Sequence, residues 1–110
     1  MTMTNIYGSE EAIALSSPSN TATEQRAKIF AALADPTRLR IVELLIEAQE
    51  LSGSELASRT NISLALFCHH ARTLAEAGVI TPRKEGQTKY HALNRELLAD
   101  CFASLSRKLT

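Results

Sequence analysis

Apolar and polar positions alternate with two different periods along the chain. From Ala22 to Ala34, Ala27, Ile29/Phe30 and Leu33 recur at three-to-four spacing and predict a helix whose apolar stripe is wide for its length. Asp35-Pro36 marks a boundary, since Asp accepts from early N–H groups and Pro is tolerated at the first helical position. The next helix is expected from Pro36 to about Gln49. There Leu39, Ile41, Val42, Leu44, Leu45 and Ile46 crowd more than one face, as in a central, most buried helix. Leu51-Ser52-Gly53 interrupts it, and a short helix follows with Ser54 as its expected cap.

Thr60-Asn61-Ile62 then reads as a tight turn into a helix capped by Ser63 and closed at Gly78, with Phe67, His70/Ala71, Leu74 and Ala77 on its inner face. Beyond Gly78 the period becomes alternating. Val79 to Lys84 and Thr88 to Leu93 predict two strands joined around Glu85-Gly86-Gln87, with Pro82 marking the first as an edge. Asn94 caps a last helix to about Lys108, striped by Leu97/Leu98, Cys101/Phe102 and Leu105.

Two helices joined by a tight turn, then a hairpin and a closing helix, give a mainly α fold with a small β-hairpin wing, a winged helix-turn-helix of order ααααββα. Residues 21–110 form this domain. Residues 1–20 carry only a weak apolar patch and are expected to be a mobile tail with a short helix near Glu10–Leu15. The first and last helices carry more apolar surface than one small core can use. They are expected to pair with a second subunit through Ile29, Phe30, Leu33, Leu98, Cys101, Phe102 and Leu105, making a homodimer.

Zero formal net charge at first argues against a nucleic-acid partner. The distribution reverses that impression: residues 1–58 hold four basic and eight acidic side chains, whereas residues 59–95 hold six basic and two acidic. Low aromatic content disfavours base stacking on single strands. No apolar run is long enough to span a membrane, and no basic leader precedes one, so a cytoplasmic protein with reduced thiols is expected. Neither a catalytic triad pattern nor a glycine-rich phosphate loop is present, which leaves an enzyme without support.

The outer face of the Ser63 helix carries Ala65, Leu66, Cys68, His69, Arg72 and Thr73, with no acid until Glu76. His and Arg donate to acceptors on guanine, and small apolar groups meet thymine methyls, so this face suits the major groove of double-stranded DNA. The hairpin adds Arg83, Lys84, Gln87, Thr88 and Lys89. Arg38 and Arg40 sit where the helix macrodipole disfavours them, either held for a phosphate or carboxylate contact or simply solvated.

Four motifs carry a family resemblance: Phe30-Ala-Ala-Leu-Ala-Asp-Pro-Thr-Arg-Leu-Arg-Ile-Val-Glu-Leu-Leu, Phe67-Cys-His-His-Ala-Arg-Thr-Leu-Ala-Glu-Ala-Gly-Val-Ile, Arg83-Lys-Glu-Gly-Gln and Tyr90-His-Ala-Leu. In order and spacing they resemble the ArsR/SmtB family of dimeric bacterial repressors. That resemblance implies a dimer on an imperfect palindromic operator. Ser63, Leu66, Cys68, His69 and Arg72 would face DNA, and Lys84, Gln87, Thr88 and Lys89 would lie on the wing. His70 would be either a packed, hydrogen-bonded imidazole or a base reader. The family's usual metal ligands are missing: Ser52 and Ser54 stand at the Cys-x-Cys positions, and the last helix opens Asn94-Arg95-Glu96-Leu97 with no His. No metal or other cofactor is therefore expected.

Cys68 stands where the family commonly has Ser. A thiol there, beside His69, His70 and Arg72 on the DNA-facing side, is a candidate sensor for peroxide, persulfide or metalloid; Cys101 is a second candidate thiol. The alternatives are a regulator without cysteine sensing, in which both are merely small side chains, and a winged helix used for protein contacts.

Overall fold

A computed structural model of the chain describes residues 18–110; the expected helix near Glu10–Leu15 lies outside them. Helix α1 spans Pro18–Leu33 and α2 Pro36–Glu47. The two-residue strand β1, Leu51–Ser52, leads into α3, Gly53–Thr60, and then α4, Leu64–Glu76. Strands β2, Ile80–Glu85, and β3, Thr88–Leu93, precede α5, Arg95–Leu109. Helix α1 begins at Pro18 rather than near Ala22; proline's fixed φ suits a first turn whose N–H needs no partner.

Local chemistry explains most boundaries. Asp35 accepts from the Arg38 N–H at 3.0 Å and opens α2 with Pro36 at its first position. The α3 cap is Ser52, not Ser54. The Ser52 hydroxyl accepts from Glu55 N–H while the Glu55 carboxylate reaches back to the Ser52 N–H, and this reciprocal box needs an acid three residues on, where Ser54 would find only Ala57. Asn61 turns the chain in the left-handed region at φ 59°, and Ser63 caps α4 by accepting from Leu66 N–H. Gly78 at φ 81° ends that helix.

The sheet has three strands, ordered β1-β3-β2, all antiparallel. Leu51 pairs with His91 and Ser52 with Tyr90, so the expected hairpin gains a third strand that ties it to the helical body. Pro82 lies on β2 at the sheet's edge. Ile41, Leu45, Leu56, Phe67, Leu74, Val79 and Ile80 form the fully buried centre. Helix α2 packs against α1, α3, α4 and β3. Yet its Leu39 and Ile46 are 44% and 52% exposed, so the expected burial on several faces holds for Ile41, Val42 and Leu45 and fails along this line. Among the described residues no helix is long and apolar enough to cross a membrane.

Candidate nucleic-acid interface

Helix α4 is anchored by Phe67, Ala71 and Leu74 and is therefore held at a fixed rotation. Ser63, Leu64, Ala65, Leu66, Cys68, His69 and Arg72 are all exposed. They divide into separate lines around the helix. Ala65, His69 and Arg72 point away from the core, Leu64 and Cys68 turn toward the wing, and Leu66 and Thr73 lie on the opposite flank. Thr73 is half-buried and its hydroxyl donates to the His69 carbonyl at 3.4 Å. Leu64, 52% exposed at the first turn of the helix, is an open apolar side chain absent from the sequence-derived set.

The hairpin's two faces do different work. Toward α3 and α4 it presents Pro82, Lys84, Lys89 and His91. In register, Lys84 pairs directly with Lys89, a like-charge juxtaposition that costs stability unless an anion lies between the two. Neither lysine makes an ion pair among the described residues. Gln87 and Thr88 are exposed beside them at the turn, where Gly86 takes φ 61°. The other face carries Arg83. Its guanidinium donates to both Glu50 oxygens at 2.9 and 2.7 Å and to Glu85 at 2.6 Å, and lies 5.0 Å from the centre of the Tyr90 ring. Arg83 thus braces the wing and holds the Glu50 carboxyl below its usual range through these hydrogen bonds.

Between α4 and the wing lies a cleft of about 660 Å³. Phe67 and His91 form its floor, their rings edge to face with centroids 5.2 Å apart. Gly53 admits this packing, since a Cβ there would stand 3.2 Å from the Phe67 ring. Cys68 and Arg72 line one wall and Lys84 and Lys89 the other, with no Asp or Glu among the lining residues. His91 is 4% exposed and its Nδ1 has no hydrogen-bond partner; burial, with the Lys89 charge nearby, pushes the imidazole below its ordinary pKa.

Arg38 is engaged within the chain: its Nε donates to the Ala32 carbonyl at 2.7 Å and its Nη1 lies 3.1 Å from His70 Nδ1. A guanidinium only donates, so Nδ1 accepts and the His70 proton sits on Nε2. His70 is the packed, hydrogen-bonded imidazole, half-buried on the inner side of α4. Arg40 is exposed and paired with Glu43.

The residues expected at a dimer interface are split. Ile29, Leu98 and Cys101 are buried within this chain's own core, and Leu33 packs against it. Phe30, Phe102 and Leu105 remain 38%, 47% and 41% exposed, with the two phenyl rings 6.1 Å apart. Burial pushes the Cys101 thiol up, against the opposing charge of Arg26, whereas Cys68 is exposed. Among the described residues no group of three or more His, Cys, Asp or Glu could hold a metal ion.

This geometry has counterparts. Residues 26–83 match a family described as a helix-turn-helix domain. The transcriptional repressor SdpR of Bacillus subtilis is 36% identical over 72 residues, covering 66% of this chain and 79% of the relative. The crystal structure of an ArsR family transcriptional regulator is similar with a TM-score of 0.70 at 32% identity, covering 79% of this chain and 89% of the other. The solution structure of the homodimeric winged helix-turn-helix DNA-binding domain Mb0332 from Mycobacterium bovis, a possible ArsR-family regulator, is similar with a TM-score of 0.71 at 26% identity and 86% of each chain. These are regulators rather than enzymes, and the chain belongs to the ArsR family of winged helix-turn-helix transcriptional regulators.

Proposed function

We propose that this chain is a homodimeric repressor that binds an imperfect palindromic operator. Each α4 enters a major groove, where His69, Arg72, Leu64 and Leu66 meet base edges, and each wing sets Lys84, Gln87, Thr88 and Lys89 on the flanking backbone. The observation that carries this reading is the unneutralised Lys84–Lys89 pair facing Arg72 across an acid-free cleft, a surface whose missing component is an anion. A wing built for protein contacts would be apolar at these positions.

The test is fluorescence anisotropy on duplexes selected from a random pool. Tight binding to a palindrome, at least 100-fold over a scrambled duplex at the same salt, is expected. A Lys84→Gln/Lys89→Gln protein should bind all duplexes more weakly with a shallower salt slope, while Arg72→Gln should lose discrimination at one base pair. Equal affinity for palindromic and scrambled duplexes would overturn the reading.

The release signal in this proposal is thiol-directed. Cys68 is exposed on α4 where DNA must fit, so oxidation or capping there adds bulk or charge to the interface. Cys101, buried with its thiol pushed up, is a core side chain. Peroxide or a persulfide donor should weaken operator binding at least tenfold, and a Cys68→Ser protein that responds equally would remove this signal.

A further inference from the structure

We propose that the cleft between α4 and the wing is also a binding site for a small aromatic carboxylate carrying a hydroxyl at its far end, which competes with DNA; its consequence for repression rests on the DNA-binding reading above. At about 660 Å³ the cleft lies within the usual range for small-molecule sites. Its body is apolar, made by Leu64, Phe67, Ala71, Ala75 and Pro82. Its mouth is cationic, with Arg72, Lys84 and Lys89 and no acid among the lining groups.

Two observations separate this floor from the DNA surface above it. His91 is 4% exposed at the bottom of the cleft, and its imidazole makes no hydrogen bond among those of the described residues. Buried polar side chains normally have a partner, so an unpartnered ring at the floor of an open cleft marks a place for one. A duplex backbone rides on exposed cations and is too broad to reach a buried ring; a flat molecule one ring wide is not. Phe67, set edge-on to His91, supplies an aromatic surface for such a body. The carboxylate then lies between Lys84 and Lys89, relieving their repulsion, and the hydroxyl meets His91. Occupancy places a competing anion on the lysines that the DNA backbone needs, so the ligand acts as an inducer.

The experiment uses the full chain without DNA, titrated with 6-hydroxy-2-naphthoate, 2-naphthoate and 6-hydroxy-2-naphthamide, and followed by amide chemical-shift changes and calorimetry. The hydroxy acid is expected to bind at least tenfold tighter than either comparator and to shift Gly53, Phe67, Ala71 and His91 amides. His91→Leu should bring the hydroxy acid down to the affinity of 2-naphthoate, and Lys84→Gln/Lys89→Gln should bring it down to that of the amide. With the selected duplex added, the hydroxy acid should displace DNA from the wild type, whereas His91→Leu should keep its DNA affinity and lose most of the response. Equal affinities for acid and amide, or shifts confined to α1 and α5, would overturn the site. Because binding is read without DNA, failure of operator recognition leaves this test intact; operator binding with no ligand binding would sink the ligand proposal alone. Should His91→Leu fold poorly, the acid-to-amide comparison on the wild type still decides.

Discussion

At the scale of single residues, His91 carries a cost the fold accepts. An imidazole enclosed between Phe67, Gly53 and the hairpin keeps a ring nitrogen with no partner, and burying such a group costs roughly 1–3 kcal/mol. Replacing it with leucine removes the orphan and retains apolar volume, so His91→Leu should raise unfolding stability by about 1 kcal/mol at neutral pH in urea denaturation. The pH dependence follows from the direction of the shift. The folded pKa lies below the ordinary value of 6.5, so as pH falls through 6.5 the unfolded chain takes up a proton before the folded chain does. Stability is fully present above about 6.5, falls as pH drops toward the folded pKa, and levels off below it. Burial opposes protonation first and the Lys89 charge second, and the other charged groups lining the cleft, Arg72 and Lys84, are also cations. Lacking the imidazole, His91→Leu should lose less stability over that window; equal acid sensitivity in both proteins would assign the effect to other groups.

At the scale of elements, what was legible in the sequence is what local periodicity and capping encode. Asp35-Pro36, Ser63, Gly78 and Asn94 mark helix ends through side-chain and backbone chemistry within three or four residues, and each stands at its expected boundary. The Ser52-x-x-Glu55 box is legible in the sequence as well, because an acid stands three residues after Ser52 and none three residues after Ser54. Other features were not readable because their partners are distant along the chain. Strand β1 has two residues and no periodicity, and exists only because β3 pairs with it. Glu50 meets Arg83, and Arg38 meets His70, across separations that no spacing rule reports. The Arg38 contact matters most to α4, because one guanidinium, carried on the first turn of α2, joins the last turn of α1 to the inner face of α4. Arg38→Met keeps much of the stem but leaves the Ala32 carbonyl and His70 Nδ1 without their donor, an expected loss of about 1–3 kcal/mol. Histidine ring nitrogen shifts check the mechanism: the His70 tautomer should become mixed in Arg38→Met and stay on Nε2 in the wild type. An unchanged tautomer with lowered stability would make Arg38 a packing residue only.

At the scale of the whole molecule, the proposed reading surface of one chain is small, and a cluster of open apolar side chains lies on α1 and α5. Phe102, Leu105 and Leu109 recur along one face of α5, exposed by 47%, 41% and 85%, and Phe30 of α1 stands beside Phe102. Large apolar side chains exposed at three-to-four spacing suit a surface kept for a partner, and in the proposed homodimer a second copy would supply the same face through two-fold symmetry. Ile29, Leu98 and Cys101 lie beneath this layer in the chain's own core, so a charge placed on the outer layer can break pairing without unfolding the chain. Phe102→Glu should therefore sediment as a monomer at concentrations where the wild type is a dimer, with its helical circular dichroism retained. Pairing also sets operator affinity, since two tethered reading heads convert the second binding event into an intramolecular one worth about 10²–10⁴-fold. The same variant should lose at least about 100-fold in affinity for the full palindrome while binding an isolated half-site as the wild-type half does. A monomeric Phe102→Glu protein that kept full palindrome affinity would mean that the two halves are read independently, and the exposed face of α1 and α5 would then need a different partner.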